Sequence, residues 1–154
     1  MRLVTYLDET GTVPTARLAL RRKNELVALD TTGLPPDLLG LLRAGPDALG
    51  ALAQRGTKGR LLDEGSVRLL PPIPQPPKII CIGLNYADHT KESPYDQPAY
   101  PTVFSRFPSS LIGHLQPIVR PLCSEQLDFE GEMVPVIGRA GRHIPLDRAL
   151  EHVC

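Results

Sequence analysis

The 154-residue sequence has no surplus of either charge: 17 lysines and arginines stand against 17 aspartates and glutamates. That balance argues against a dedicated nucleic-acid or membrane-surface protein, because both draw their affinity from a basic excess. The basic residues are also scattered, and the tightest group, Arg21-Arg22-Lys23, reads as a solvated hairpin end. No segment approaches the length of a transmembrane helix, and Met1-Arg2-Leu3-Val4-Thr5-Tyr6-Leu7-Asp8 lacks a signal-peptide core. Cysteine is scarce. Cys81, Cys123 and Cys154 lie far apart without metal-type pairing, which fits free thiols in a reducing cytoplasm better than a disulfide framework. Cys81, inside Lys78-Ile79-Ile80-Cys81-Ile82, reads as a small buried hydrophobe. There is no internal repeat.

Proline is what the sequence has in excess, with 17 residues against an ordinary share of ~5%. The prolines cluster at 35–36, 71–77 and 94–121, between well-patterned segments, so they punctuate a loop-rich fold rather than mark disorder.

The pattern predicts an α+β chain. Residues 3–7, 16–20 and 25–29 read as short strands, the last two joined by a polar turn. Residues 35–43 read as a short helix with Asp37 near its start. A second helix over 47–55 carries Leu49, Leu52 and Ala53 on one stripe and has Gly56 as its stop signal. Residues 66–70 are another strand. Pro71-Pro72-Ile73-Pro74-Gln75-Pro76-Pro77 is necessarily extended and marks a boundary, giving a small N-terminal α/β unit over 1–72 and a second domain over 73–154. In the second, residues 78–82, 103–107, 117–120 and 130–137 read as strands, with Pro135 pointing to an edge or bulge. Leu146, Ala149, Leu150 and Val153 at helical spacing predict a closing helix with an apolar face.

Two groups of residues can carry chemistry. On a strand, Glu130 and Glu132 project from one face across Gly131, and two carboxylates so aimed suit a hard cation such as Mg²⁺; Glu-x-Glu is equally at home on a solvated strand face. If 88–92 forms a helical turn, His89 and Glu92 share a face, and Glu92 can hold the imidazole in one tautomer and make it a general base; the alternative is an exposed His beside Glu in a polar loop. Asp88 is either a further ligand or, preferably, a helix N-cap. Arg106 can pair with a substrate carboxylate or lie idle on the surface. His114 lines a pocket or caps a turn. Ser109 and Ser110 look like turn residues, and His143 and His152 like surface residues.

Gly83-Leu84-Asn85-Tyr86-Ala87-Asp88-His89 with Glu92, then Phe104-Ser105-Arg106-Phe107-Pro108-Ser109-Ser110-Leu111-Ile112-Gly113-His114, then Asp128-Phe129-Glu130-Gly131-Glu132 with Val136-Ile137-Gly138, resemble the fumarylacetoacetate hydrolase superfamily. The resemblance covers residues 77–153, and the preceding segment is similar to the small N-terminal domain of many members. It implies a mixed β-sandwich roll, usually dimeric, and a divalent cation, commonly Mg²⁺ with Mn²⁺ or Ca²⁺ as alternatives, held by three carboxylates. Glu130 and Glu132 stand where the first two ligands stand, and His89 and Glu92 where some members carry a His–Glu pair on a lid. Members cleave C–C bonds in diketo acids, decarboxylate oxo acids or isomerise related dienoates. The implied activity is a metal-dependent hydrolase or decarboxylase acting on a small oxo acid, with an isomerase or hydratase as the alternative.

Two positions depart from the family pattern. Leu115 follows His114 where glycine is usual, and Pro135 interrupts a strand. Relatives also continue well past the position of Cys154, where the third carboxylate, a catalytic lysine and a glycine-rich turn are supplied. The expectation is therefore an incomplete roll with unpaired strand edges and exposed apolar surface, either a fragment of a longer enzyme or a truncated chain, inactive or weak alone. In another class stands a non-catalytic remnant that acts by binding.

Overall fold

Alternating apolar residues build β1 (Leu3–Asp8), β2 (Thr15–Arg22) and β3 (Glu25–Ala28) into an antiparallel meander, with Leu3 opposite Leu20 and Arg22 opposite Glu25. In the computed structural model of the chain, the described residues are 1–55, 59–92, 96–129 and 131–154, without the side chains of His89 and Glu92. Contacts group these residues into two units, Met1–Ile73 with Ile112–Cys154, and Pro74–Leu111. Strands and helices together give an α+β chain.

In the first unit, β4 (Leu61–Leu62) and β5 (Arg68–Leu70) complete a five-stranded antiparallel sheet in the order β4-β3-β2-β1-β5. The two-residue β4 escapes any periodicity argument because it is too short to show one. The β2–β3 turn places Lys23 at φ 48°, with Arg22 exposed beside it and Arg21 paired with Glu64. At the far end of β1, the Thr10 hydroxyl donates to Asp8 at 2.7 Å and Arg17 lies 2.9 Å from the same carboxylate. These bonds, Thr10's first, hold the Asp8 carboxyl below its usual range.

Both faces of this sheet are covered. Leu18, Leu20 and Val27 meet Leu38 and Leu41 of α1 (Leu38–Ala44) and Leu52 of α2 (Pro46–Arg55). On the opposite face Tyr6, Ala19, Leu26, Leu62 and Leu69 form a second cluster. Thr5 is buried but satisfied, its hydroxyl donating to the Pro72 carbonyl at 2.7 Å. Asp37 caps α1 by accepting from the Gly40 amide at 2.8 Å, as its place in the sequence predicts. Gly45, at φ 92°, ends α1 by donating to the Leu41 and Leu42 carbonyls, and Pro46 opens α2 at once. The apolar stripe of α2 is Ala48, Leu49 and Leu52; Ala53, placed on it by the sequence, is exposed. Gly56 lies outside the described residues.

The later part of this unit corrects three expectations. Residues 117–120 form no strand. Of residues 131–137, only Ile137 pairs, in a single bridge to Val153. A strand exists through hydrogen bonds to a neighbour, and apolar alternation alone does not supply one. The closing helix is a 3₁₀ segment, Leu146–His152, with Leu146 and Leu150 exposed. Without a surface to bury its stripe, so short a segment settles into i→i+3 bonds such as the Arg148 amide to the Pro145 carbonyl at 3.0 Å. His152 is half-buried rather than a surface residue, its Nδ1 2.9 Å from the Arg139 carbonyl.

The second unit is an antiparallel pair, β6 (Ile79–Gly83) and β7 (Thr102–Arg106), with α3 (Ala87–Glu92) between them in sequence. Cys81 is half-buried. Ile80 and Ile82 are exposed, as are Val103 and Phe104.

Candidate functional site

The polar turn predicted over 88–92 is helical, so His89 and Glu92 stand three positions apart on α3; their side chains lie outside the described residues. β6 delivers the chain to this helix through Leu84, which holds φ 54°. Thr90 locks the first turn: its amide and its hydroxyl both donate to the Tyr86 carbonyl, at 3.0 and 3.1 Å, and its side chain is buried. Asp88 sits inside the helix rather than capping it, with its carboxylate 2.9 Å from Lys91 Nζ. The helix already begins at Ala87, so Asp88 lies within its first turn, where the i,i+3 spacing brings it to Lys91.

Arg106 ends β7, opposite Ile79, and its guanidinium lies 6.0 Å from the Phe104 ring centroid. Pro108–Ser110 is a 3₁₀ turn in which the Ser110 hydroxyl donates to the Phe107 carbonyl at 2.7 Å. Ser110 is thus a turn residue, with its hydroxyl already committed.

In the other unit, His114 is exposed in a turn closed by the Gln116 amide donating to the Gly113 carbonyl at 3.1 Å. Leu115 takes φ 60° in that turn, so the position where glycine is expected does adopt a glycine-type conformation. Gly113 itself lies flush on β5: a Cβ there would stand 1.8 Å from the Leu69 carbonyl oxygen. Glu132 is exposed, and Glu130 lies outside the described residues. Asp128 accepts from the Phe129 amide at 2.8 Å.

Among the described residues, no three His, Cys, Asp or Glu side chains converge on one point. The donor chemistry of Glu130 and Glu132 suits a hard divalent cation, but two carboxylates are fewer than the three the resemblance implies. A cavity of about 270 Å³ elsewhere in the first unit is lined by Tyr6, Asp8, Glu9, Arg60 and Asp63 and holds none of the predicted site residues. Tyr6 borders it, its phenol raised above the usual value first by burial and then by the Asp8 charge. The sequence reading missed this cavity because its lining comes from two stretches, 6–10 and 60–67, that lie far apart in sequence. Among the described residues, no helix is long and apolar enough to cross a membrane.

Residues 78–154 match the family described as fumarylacetoacetate (FAA) hydrolase C-terminal. Oxaloacetate tautomerase fahd2, mitochondrial, of Xenopus laevis is 35% identical over 156 residues, covering 99% of this chain and 49% of the relative. Oxaloacetate tautomerase Fahd2a, mitochondrial, of Rattus norvegicus is 38% identical over 157 residues, covering 99% and 50%. Among solved structures, a fumarylacetoacetate hydrolase from psychrophilic Exiguobacterium antarcticum is similar with TM-score 0.71 and 30% identity, covering 99% of this chain and 53% of that one. The chain spans about half the length of the curated relatives it matches.

Proposed function

We propose that this chain, which belongs to the fumarylacetoacetate hydrolase family, supplies the N-terminal part of an enzyme that interconverts the enol and keto forms of oxaloacetate or a close oxo acid. The observation that carries this reading is 35–38% identity to two oxaloacetate tautomerases across 99% of the chain. Tautomerisation moves one proton between the C2 oxygen and C3, so it needs a base and acid at one position and a means of carrying negative charge on the substrate oxygen. His89 takes and returns the proton in this reading, with Glu92 orienting the imidazole. Glu130 and Glu132 would hold the divalent cation, Mg²⁺ by donor chemistry, which would lower the cost of that negative charge. Arg106 and His114 bind the substrate carboxylates.

The hydrolase or decarboxylase reading remains second, favoured by the likeness to a fumarylacetoacetate hydrolase. It uses the same residues, with His89 activating water instead of shuttling a substrate proton. In both readings residues 73–154 are the N-terminal part of the catalytic domain, within a β-roll that forms homodimers. The three free cysteines suit a reducing compartment such as the cytoplasm; the two tautomerases named above are mitochondrial by name.

The test is decay of the oxaloacetate enol absorbance, with Mg²⁺ affinity measured by calorimetry on the same preparation. Glu132→Ala is expected to weaken Mg²⁺ binding and slow the decay by at least ~10-fold each. Where the parent decays the enol faster than buffer alone, decay at that same rate in both Glu130→Gln and Glu132→Ala would sink the tautomerase reading. Release of CO₂ or of a cleaved acid in place of tautomer would move the assignment to the second reading.

A further inference from the structure

The exit from β6 is held in a conformation that its own residue disfavours. Leu84 sits at φ 54°, a left-handed position that a residue with a Cβ disfavours. Such a position persists only where its surroundings fix it. One such contact comes from thirteen residues along the chain: Gln97 Nε2 donates to the Leu84 carbonyl at 3.1 Å. This bond ties together the two ends of the segment that contains α3, and the Thr90 bonds to Tyr86 then set the first turn of that helix directly after it.

We propose that Gln97 is a positioning residue, a strap that fixes Leu84 in the left-handed conformation and thereby fixes where α3 begins. Its catalytic meaning rests on the reading that α3 carries the base; the strap itself does not. Glutamine suits the task because its amide presents a neutral donor on a side chain long enough to reach a backbone carbonyl. Glutamate of the same length has no donor when ionised and regains one when protonated, near its ordinary pKa of about 4.3.

Hydrogen exchange of the full chain, followed by mass spectrometry on a peptide covering residues 84–92, tests this. Gln97→Ala is expected to speed exchange of that peptide about tenfold, the equilibrium weight of one hydrogen bond, while peptides from β1 and β2 keep the parent's rates. Gln97→Glu is expected to behave like Gln97→Ala at pH 7 and like the parent at pH 3.5, each compared with the parent at the same pH. Unchanged exchange over 84–92 in Gln97→Ala overturns the strap, as does faster exchange spread equally over β1 and β2. Leu84→Gly provides the companion variant: because glycine adopts φ 54° without the strain that the strap must hold in leucine, adding Gln97→Ala to it should change exchange less than twofold, and a full tenfold effect in that background also overturns the proposal. If Gln97→Ala loosens 84–92 yet enol decay keeps its kcat and KM, the strap stands and the assignment of the base to α3 falls.

Discussion

Met1–Ile73 and Ile112–Cys154 belong to one unit but are built in opposite ways. In the first stretch every strand finds a neighbour, and Leu18, Leu26, Leu41 and Leu52 are almost completely buried. In the second, Leu122 is 98% exposed, Leu115 87% and Val119 84%, and Ile137 supplies the sole ladder contact among its described residues, in one bridge. Both stretches carry apolar residues at regular spacing. What separates them is whether a partner surface exists for those residues. The first makes its own core, whereas the second lies over it with its apolar side chains outward.

Substitutions should divide along that line. Leu41→Ala is expected to cost about 2–5 kcal/mol, read as a drop in the denaturant midpoint, whereas Leu122→Ala should stay within about 0.5 kcal/mol. Equal losses would mean that Leu122 is covered in solution and the contrast is false. Gly113→Ala probes the seam between the stretches. A methyl group there meets the Leu69 carbonyl oxygen, so about 2–3 kcal/mol should be lost, and the same denaturation assay should report it. A loss under 0.5 kcal/mol would show that the second stretch does not rest on β5. Leu115→Gly gives the smallest effect and the opposite sign: relieving the positive φ should raise stability by up to about 1 kcal/mol, and a destabilised variant would show that the Leu115 side chain makes contacts of its own.

The sequence was most readable where local chemistry sufficed. Asp37 at the start of α1, the two short helices that follow it, and the strands of the meander all form close to where their residue patterns put them. The helical turn bearing His89 and Glu92 was legible for the same reason. Legibility failed where an expected element met no neighbouring strand or surface, whereas 66–70, 78–82 and 103–107 did find partners. The strand expected over 130–137 needs a neighbour, and its described part finds one only at Ile137. The helix expected over 145–153 needs a surface for Leu146 and Leu150, and both are exposed. The candidate site shows the same division, since its residue types follow from motif spacing while convergence on a metal depends on tertiary placement.

Sequence by itself determined the family of this protein, the α+β class, the helix that opens at Asp37, the acidic pair Glu130/Glu132 and the position of Leu115 as a place that wants glycine. Spacing, side-chain size and hydrogen-bonding capacity are local properties, and a linear pattern records them in full. Tertiary structure alone decided that β4 joins the sheet, that Gly113 lies against Leu69, that Gln97 reaches Leu84, and which apolar residues are buried. Each of those depends on two segments distant in sequence meeting in space, and no periodicity within one segment carries the identity of its partner.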